Sequence, residues 1–591
     1  MEYELTDERK AYLDARGKVI LTACPGSGKT TSIVKKLGIL ESECRSQYGQ
    51  FRGFACLSFT NKACNEIQEK FLSMNGHSVS YPNIVSTIDS FLTENIVLPY
   101  WYMFKHLDSR PQIINEDEII NRLFIRKDGN TDIQVCGFTG EKAKLLHSFE
   151  PSRINVGYNC FYFNNKLTKH EDYAKSVILH RMKKAVINSQ DAVYIADAIL
   201  NSHKDIAASL AQRFPYIIVD EAQDTSVLQT IFFKLLEING LENIEYVGDI
   251  YQSIYEWRQA SPENFSNIMK DESWKVLHLT QNRRSVQHII DLYSKLRAVG
   301  DPPIISHNVE NKNIPIVVYK YDNTNIKEII RHFTVQCDNN GLNNYHVLTR
   351  GNAFIHKYLN RNADIDYWKE RIPYLLIKAL QYKEGGNFHR AIQILLNVWA
   401  ELTIEVNKFR EKNIFVREGE KDVGKTSKMM DLLYSLPSLD ETFDNWTNSA
   451  QLVLKEKLEL NFDVNFNPYK RKKNFNINRV RHEPIAKYYR EDSGEDVPFA
   501  IETIHSSKGA SYGGVLLFLS GDSKGNKISI NDFKNTQPLK EKQRLIYVAC
   551  SRAEQFLAIA IPDTIPDMKI KRILGITDDQ ILRIGIQRAL F

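Results

Sequence analysis

Residues 23–30 read Ala23-Cys24-Pro25-Gly26-Ser27-Gly28-Lys29-Thr30, a spacing of glycines, lysine and hydroxyl suited to holding phosphate. Gly26 and Gly28 let the backbone curl so that several N–H groups face one anion. Lys29 is placed to reach the β- and γ-phosphates of ATP, Thr30 to ligate Mg2+, and Thr31 to extend the nucleotide-binding stretch. An apolar run, Lys18–Thr22, precedes the loop and a helix should begin near Lys29, adding its N-terminal dipole. The pattern occurs a second time, at Gly419–Thr426 around Gly424 and Lys425. There Glu420 and Asp422 would repel a triphosphate and no interior glycine loosens the loop, so this match reads as an ordinary solvated turn.

A second chemical feature is the apolar run Tyr216–Val219 ending in Asp220 and Glu221. Ligands of α/β sheets gather at the carboxyl ends of strands. Asp220 is suited to hold Mg2+, and Glu221 to orient and deprotonate an attacking water.

These loops need strands to aim them. Short apolar runs at Lys18–Thr22, Phe54–Ser58, Tyr216–Val219, Ile244–Val247, Gly514–Leu519 and Phe556–Ile561 read as buried parallel strands. Helix-like segments separate them, which predicts an α/β fold. The strands fall before residue 250 and after residue 500, so two α/β lobes are expected, each with an insert. The expected boundaries are 1–91 and 205–275 for the first lobe, with an insert at 92–204. The second lobe takes 276–360 and 495–591, with an insert at 361–494. Helical periodicity at Ile392, Leu395, Leu396 and Trp399 marks the second insert, as does a basic stretch from Tyr469 to His482.

Further segments follow in order: Leu57–Ala63 with Phe59, Thr60 and Asn61; Val85–Phe91 with Thr87; Val247–Arg258 with Gln252, Tyr255, Trp257 and Arg258; Leu279–Ser285 with Arg283 and Arg284; Val347–Arg350; Thr503–Gly509 with His505; and Tyr547–Ala553 with Arg552. This ordered series resembles the motif set of UvrD/Rep-type superfamily 1A helicases, and it spans residues 23–553. The resemblance implies two RecA-like P-loop lobes, each with a mainly helical insert (1B-like and a reduced 2B-like). It also implies an ATP-dependent helicase or translocase moving 3′ to 5′ on single-stranded or partly duplex DNA. Gln252 would then sense the γ-phosphate, and Arg284 and Arg552 would act as arginine fingers. Arg283 and Gly509 would line the nucleotide site. Phe59, Tyr255 and Trp257 would stack on bases, with Thr60, Asn61, Thr87, Arg258, Arg350, Thr503 and His505 contacting the strand.

The chain departs from the family pattern at three places near the base. Arg9 stands where a glutamine reads adenine, and Arg283 where an aromatic ring stacks. Ala510-Ser511-Tyr512 replaces a segment that carries a carboxylate. These changes put preference for ATP over other nucleotides in question. The stretch between the Leu279–Ser285 and Thr503–Gly509 segments is also short for the family.

A second reading, of a different class, follows from that short insert. By analogy with the helicase-like subunit of Gabija-type antiphage systems, the chain would serve antiviral defence as a regulatory subunit. It would associate with a nuclease in a hetero-oligomer. A P-loop kinase or GTPase would leave Gln252–Tyr255 and both fingers without a role. The composition suits either helicase reading: 43% hydrophobic and 25% charged residues are ordinary for a globular protein, and a net charge of +5 requires any DNA track to be local. The eight cysteines form no Cys-x-x-Cys pair, which points away from a zinc ribbon. The acidic start and the lack of long apolar runs predict no signal peptide, no membrane span and a cytoplasmic location.

Overall fold

The computed structural model describes residues 4–105, 189–255, 262–351, 367–489 and 500–585, apart from short breaks within these ranges, and only short segments between 106 and 188. Two six-stranded, all-parallel sheets dominate it. The first contains β1 (Lys18–Ala23), β2 (Phe54–Ser58), β3 (Ile84–Thr87), β4 (Tyr216–Asp220), β5 (Asn243–Gly248) and β6 (Lys275–Leu279), in the order β6-β1-β5-β4-β2-β3. The second contains β7 (Val317–Tyr321), β8 (Tyr345–Thr349), β9 (Ala500–Thr503), β10 (Tyr512–Phe518), β11 (Ala553–Pro562) and β12 (Ile581–Leu582), in the order β9-β8-β10-β11-β7-β12.

All six apolar runs fall on these strands. β2 and β4 are buried at every position, as expected of central parallel strands covered on both faces. Helices α1 (Asp7–Asp14), α2 (Lys29–Tyr48) and α3 (Asn61–Asn75) cover one face of the first sheet through Tyr12, Ile33, Leu37, Ile67 and Phe71. A separate core lies on the other face, with Phe91, Ile195 and Phe232.

The second insert is helical. Its helices α4 (Ile372–Glu384), α5 (Phe388–Thr403), α6 (Val423–Ser435) and α7 (Phe443–Lys457) pack around Trp368 and Trp446. Both indoles are fully buried and keep their N–H groups satisfied: Trp368 donates to Thr447 Oγ1 at 2.9 Å and Trp446 to the Pro437 carbonyl at 3.1 Å. The first insert, expected to be mainly helical, is described only in part. Among its described residues are short strands at Phe124–Lys127, Thr131–Gln134, Phe149–Ser152 and Cys160–Phe163, paired antiparallel, alongside the helices Leu98–Lys105 and Ser189–Ser202.

Because the strands of the first sheet are parallel, their carboxyl ends share one edge. That edge gathers the phosphate loop after β1, Phe59–Thr60 after β2, Thr87 ending β3, Asp220–Glu221 at the end of β4, and Asp249 after β5. Residues far apart in sequence meet there for this reason alone.

Candidate nucleotide and nucleic-acid site

Between β1 and α2 the backbone turns through Gly26 and Gly28, both at positive φ (+73° and +80°). A Cβ at Gly26 would lie 2.5 Å from the Arg284 Cβ, and one at Gly28 2.6 Å from Arg9 Nη2. Only glycine fits this cradle. Arg9 braces the loop from behind, donating to the Ser27 carbonyl at 3.1 Å and the Glu4 carbonyl at 2.8 Å.

Lys29 Nζ lies 3.0 Å from Asp220 Oδ1 and also contacts Glu221. Glu221 adopts a left-handed backbone (φ +52°), a conformation costing roughly 1–3 kcal/mol in a non-glycine residue. Lys29 and the Gln223 carboxamide hold its side chain there. Burial raises the Asp220 carboxyl above its ordinary range, against the pull of Lys29. Burial also acts to raise Glu221, but the charges of Lys29 and Lys508 outweigh it and keep this carboxylate ionised.

From Glu221 a chain of hydrogen bonds crosses the edge of the sheet. Gln223 Nε2 donates to Glu221, while Gln223 Oε1 accepts from the Asp249 N–H at 3.1 Å. Gln252 Nε2 donates to Asp249 Oδ2 at 2.9 Å, and Gln252 Oε1 accepts from Arg552 Nη2 at 3.1 Å. Arg284 donates to the Ser551 carbonyl at 3.1 Å. Burial, then the neighbouring Arg284 charge, push the Arg552 guanidinium down to about 9. The buried Arg552 and the half-buried Arg284 both line the phosphate cleft, where their charges favour an anion.

The phosphate loop from Ala23 to Thr31, Asp220, Glu221, Gln252, Arg283, Arg284, Gly509 and Arg552 all line one cleft of about 360 Å³. The donor set, the glycine cradle and the paired arginines fit a nucleoside triphosphate. Arg283 is held to the side by an ion pair with Glu4 (2.6 Å) and a bond to Gln281 (3.2 Å). Ser511 and, from β11, Glu554 also line the cleft.

Phe59 and Tyr255 also border this cleft, stacked with centroids 5.3 Å apart. His505 lies 6.0 Å from Tyr255, and its Nδ1 is 3.4 Å from Arg350 Nη1. The hydroxyls of Thr60, Thr87 and Thr503 accept from the backbone N–H groups of Ala63, Ser90 and Ser506, so each stabilises a turn at the edge as well as facing it. Asn61 opens α3. Trp257 and Arg258 lie outside the described residues, as do Lys470–Lys473 of the basic stretch. At the end of that stretch Arg481 pairs with Asp444 at 2.7 Å.

The second phosphate-loop match forms no loop of that kind. Asp422 caps α6, accepting from the Lys425 N–H at 3.0 Å, and Lys425 Nζ lies 4.4 Å from the Phe415 ring centroid. Among the described residues no strand precedes it, and the Asp422 carboxylate sits where phosphate would have to bind.

Lys508, inside the Thr503–Gly509 segment, has no role that the sequence alone assigns. It contacts Asp224, donates to the Gln252 carbonyl at 2.8 Å, lies 3.8 Å from Glu221, and has its ammonium 4.9 Å from the Tyr255 ring centroid. The carboxylates Asp220, Glu221 and Asp224 and a lysine in the Thr503–Gly509 segment were the available signals. Only the tertiary fold joins them.

Residues 5–273 match the UvrD/REP helicase N-terminal domain, and residues 369–563 match the UvrD-like helicase C-terminal domain. The chain belongs to the UvrD/Rep helicase family. It is 24% identical to the ATP-dependent DNA helicase Rep of Buchnera aphidicola subsp. Schizaphis graminum, over 93% of this chain and 92% of that protein. A probable DNA helicase II homolog of Mycoplasma capricolum is 23% identical over 93% of this chain and 82% of the relative. The ATP-dependent DNA helicase Rep of Escherichia coli K12 is 25% identical over 62% of this chain and 54% of that protein. In this UvrD/Rep helicase β1–β5 of the first sheet and β9–β11 of the second fall within the matched ranges, and the phosphate cleft draws residues from both.

Proposed function

We propose that this helicase hydrolyses ATP and uses the cycle to move 3′ to 5′ along single-stranded DNA, separating duplex as it advances. The observation that carries the reading is the hydrogen-bonded route from Glu221 through Gln223, Asp249 and Gln252 to Arg552. It runs from the water-activating carboxylate in the first lobe to a cation of the second, beside the Phe59–Tyr255 stack. Closing the lobes brings both arginines onto the developing phosphate charge. The same movement shifts Lys508, which touches both the Glu221 side and Tyr255. Thr30 and Asp220 would hold Mg2+, which would neutralise phosphate charge. Tyr255, Phe59 and His505 would face the bases and backbone, contacts that carry no base sequence.

The first test is hydrolysis of ATP with and without single-stranded DNA, beside Lys29→Ala and Glu221→Gln. DNA-stimulated hydrolysis lost in both variants supports the reading; hydrolysis indifferent to DNA overturns it. No helix among the described residues is long and apolar enough to cross a membrane. The finer reading, a subunit of an antiphage nuclease complex, draws on the reduced second insert. It predicts a stable hetero-oligomer with a nuclease and weak unwinding by the isolated chain.

A further inference from the structure

The edge of the first sheet opposite the phosphate loop carries a second cleft, of about 490 Å³. It forms where α2 ends, where the turn Gly49–Gly53 enters β2, and where His77–Asn83 leads into β3. Arg45 and Arg52 line it, and among the described residues neither has a carboxylate within ion-pair distance. The carboxylate lining the cleft is Glu41. Its two oxygens are already engaged, by Asn83 Nδ2 at 3.3 Å and His77 Nε2 at 3.4 Å. Behind the cleft, outside its lining, the Arg213 guanidinium packs 5.0 Å from the Tyr81 ring centroid and 4.4 Å from that of Phe214.

Two large rings stand out into solvent here: Tyr81 is 70% exposed and Phe51, beside Arg52, 64%. Two exposed arginines beside exposed rings suit a polynucleotide, since guanidiniums take backbone phosphates and rings take bases or sugars. The cleft is open, so a small anion would keep one side in water, whereas a strand laid across it meets both arginines together.

We propose that this cleft is a second DNA-contact site, holding backbone phosphates of a strand beyond the motor track. The proposal rests on the reading that DNA is the substrate. β2 separates the cleft, at its Phe54 end, from Phe59 and Thr60 at the other. Five residues of strand span roughly 17 Å, so a strand touching both sites must be longer than one filling the track alone.

The test uses the full chain, the charge-reversed Arg45→Glu/Arg52→Glu variant, and Tyr81→Ala. Binding to oligothymidylates of about 8 and about 40 nucleotides is followed by fluorescence anisotropy across a salt series, beside DNA-stimulated ATP hydrolysis. The expected result is unchanged affinity for the short strand and unchanged maximal hydrolysis. On the long strand, the double variant should lose about tenfold in affinity and its salt slope should fall by about 1.4, the value for two phosphate contacts on single strands. Tyr81→Ala should weaken the long strand alone. Long-strand affinity and slope equal to wild type overturn the proposal, as does an equal loss on both lengths, which would place these arginines in the track itself. Wild type that binds neither strand overturns the DNA-motor reading together with this one. Wild type that binds both, with the variants unchanged, overturns only the second cleft.

Discussion

Gln252 Oε1 accepts a 3.1 Å hydrogen bond from Arg552 Nη2, so the route from Glu221 ends on a cation of the other lobe. A lysine cannot make the two-pronged contact by which Arg552 also donates to the Ala510 carbonyl. Arg552→Lys should lower kcat for ATP about 100-fold or more, with nucleotide affinity changed far less. Steady-state hydrolysis beside binding of a fluorescent ATP analogue checks this.

Lys508 and Asp224 form a buried pair, their side chains 9% and 1% exposed. Removing one partner of such a pair strands the other charge, at a cost of about 3–5 kcal/mol. Lys508→Met should therefore lower the denaturant midpoint clearly. The double change Lys508→Met/Asp224→Leu should recover much of that loss without restoring DNA-stimulated hydrolysis. Urea unfolding beside hydrolysis separates the two effects.

The two phosphate-loop matches give a paired control. Lys425 sits on a capped helix beside an aromatic ring, so Lys425→Ala should hydrolyse ATP at the wild-type rate, whereas Lys29→Ala should lose hydrolysis. A comparable loss in both would contradict the assignment of the nucleotide to Gly26–Thr30.

His505 supplies a pH signature. Its Nε2 faces the Ile254 carbonyl at 3.2 Å, and its Nδ1 faces the Arg350 guanidinium, with Lys508 and the Tyr255 ring also close. Burial, then Arg350, lower its pKa from 6.5 to about 4. The unfolded chain takes up this proton first as pH falls, so the imidazole costs stability progressively from pH 6.5 to about 4 and contributes nothing above that range. His505→Gln should flatten the decline of Tm across this window. Scanning Tm against pH for both proteins measures it, and parallel curves would sink the idea.

How far the sequence speaks depends on whether a signal is local. The six apolar runs are strands because central parallel strands need burial on both faces. Other strands escaped for identifiable reasons. β7 carries Lys320, buried to 1% because its ammonium finds the Ile565 carbonyl and Asp567; its charge breaks the run. β6 is partly exposed along most of its length, and β12 has two residues. The phosphate loop and the Asp220–Glu221 strand end were readable for the same local reason. Gln223, Asp249 and Lys508 were not, because each acquires its role only from a partner brought across the sheet edge. Arg283 was expected near a base, and the ion pair to Glu4 that holds its guanidinium aside comes from a segment far away in sequence.

The strand order of the first sheet has a consequence for synthesis. β1 and β2 emerge from the ribosome early, yet they never pair with each other: β5 and β4 lie between them in the finished sheet. β1 obtains its neighbours only once β5 and β6, through Leu279, have been made. Until then its backbone hydrogen-bonding groups and apolar faces stay without their native cover. For nearly half of its translation the nascent chain is therefore a sheet waiting for its centre, and a ribosome stalled within the first insert releases a fragment that cannot build the nucleotide site.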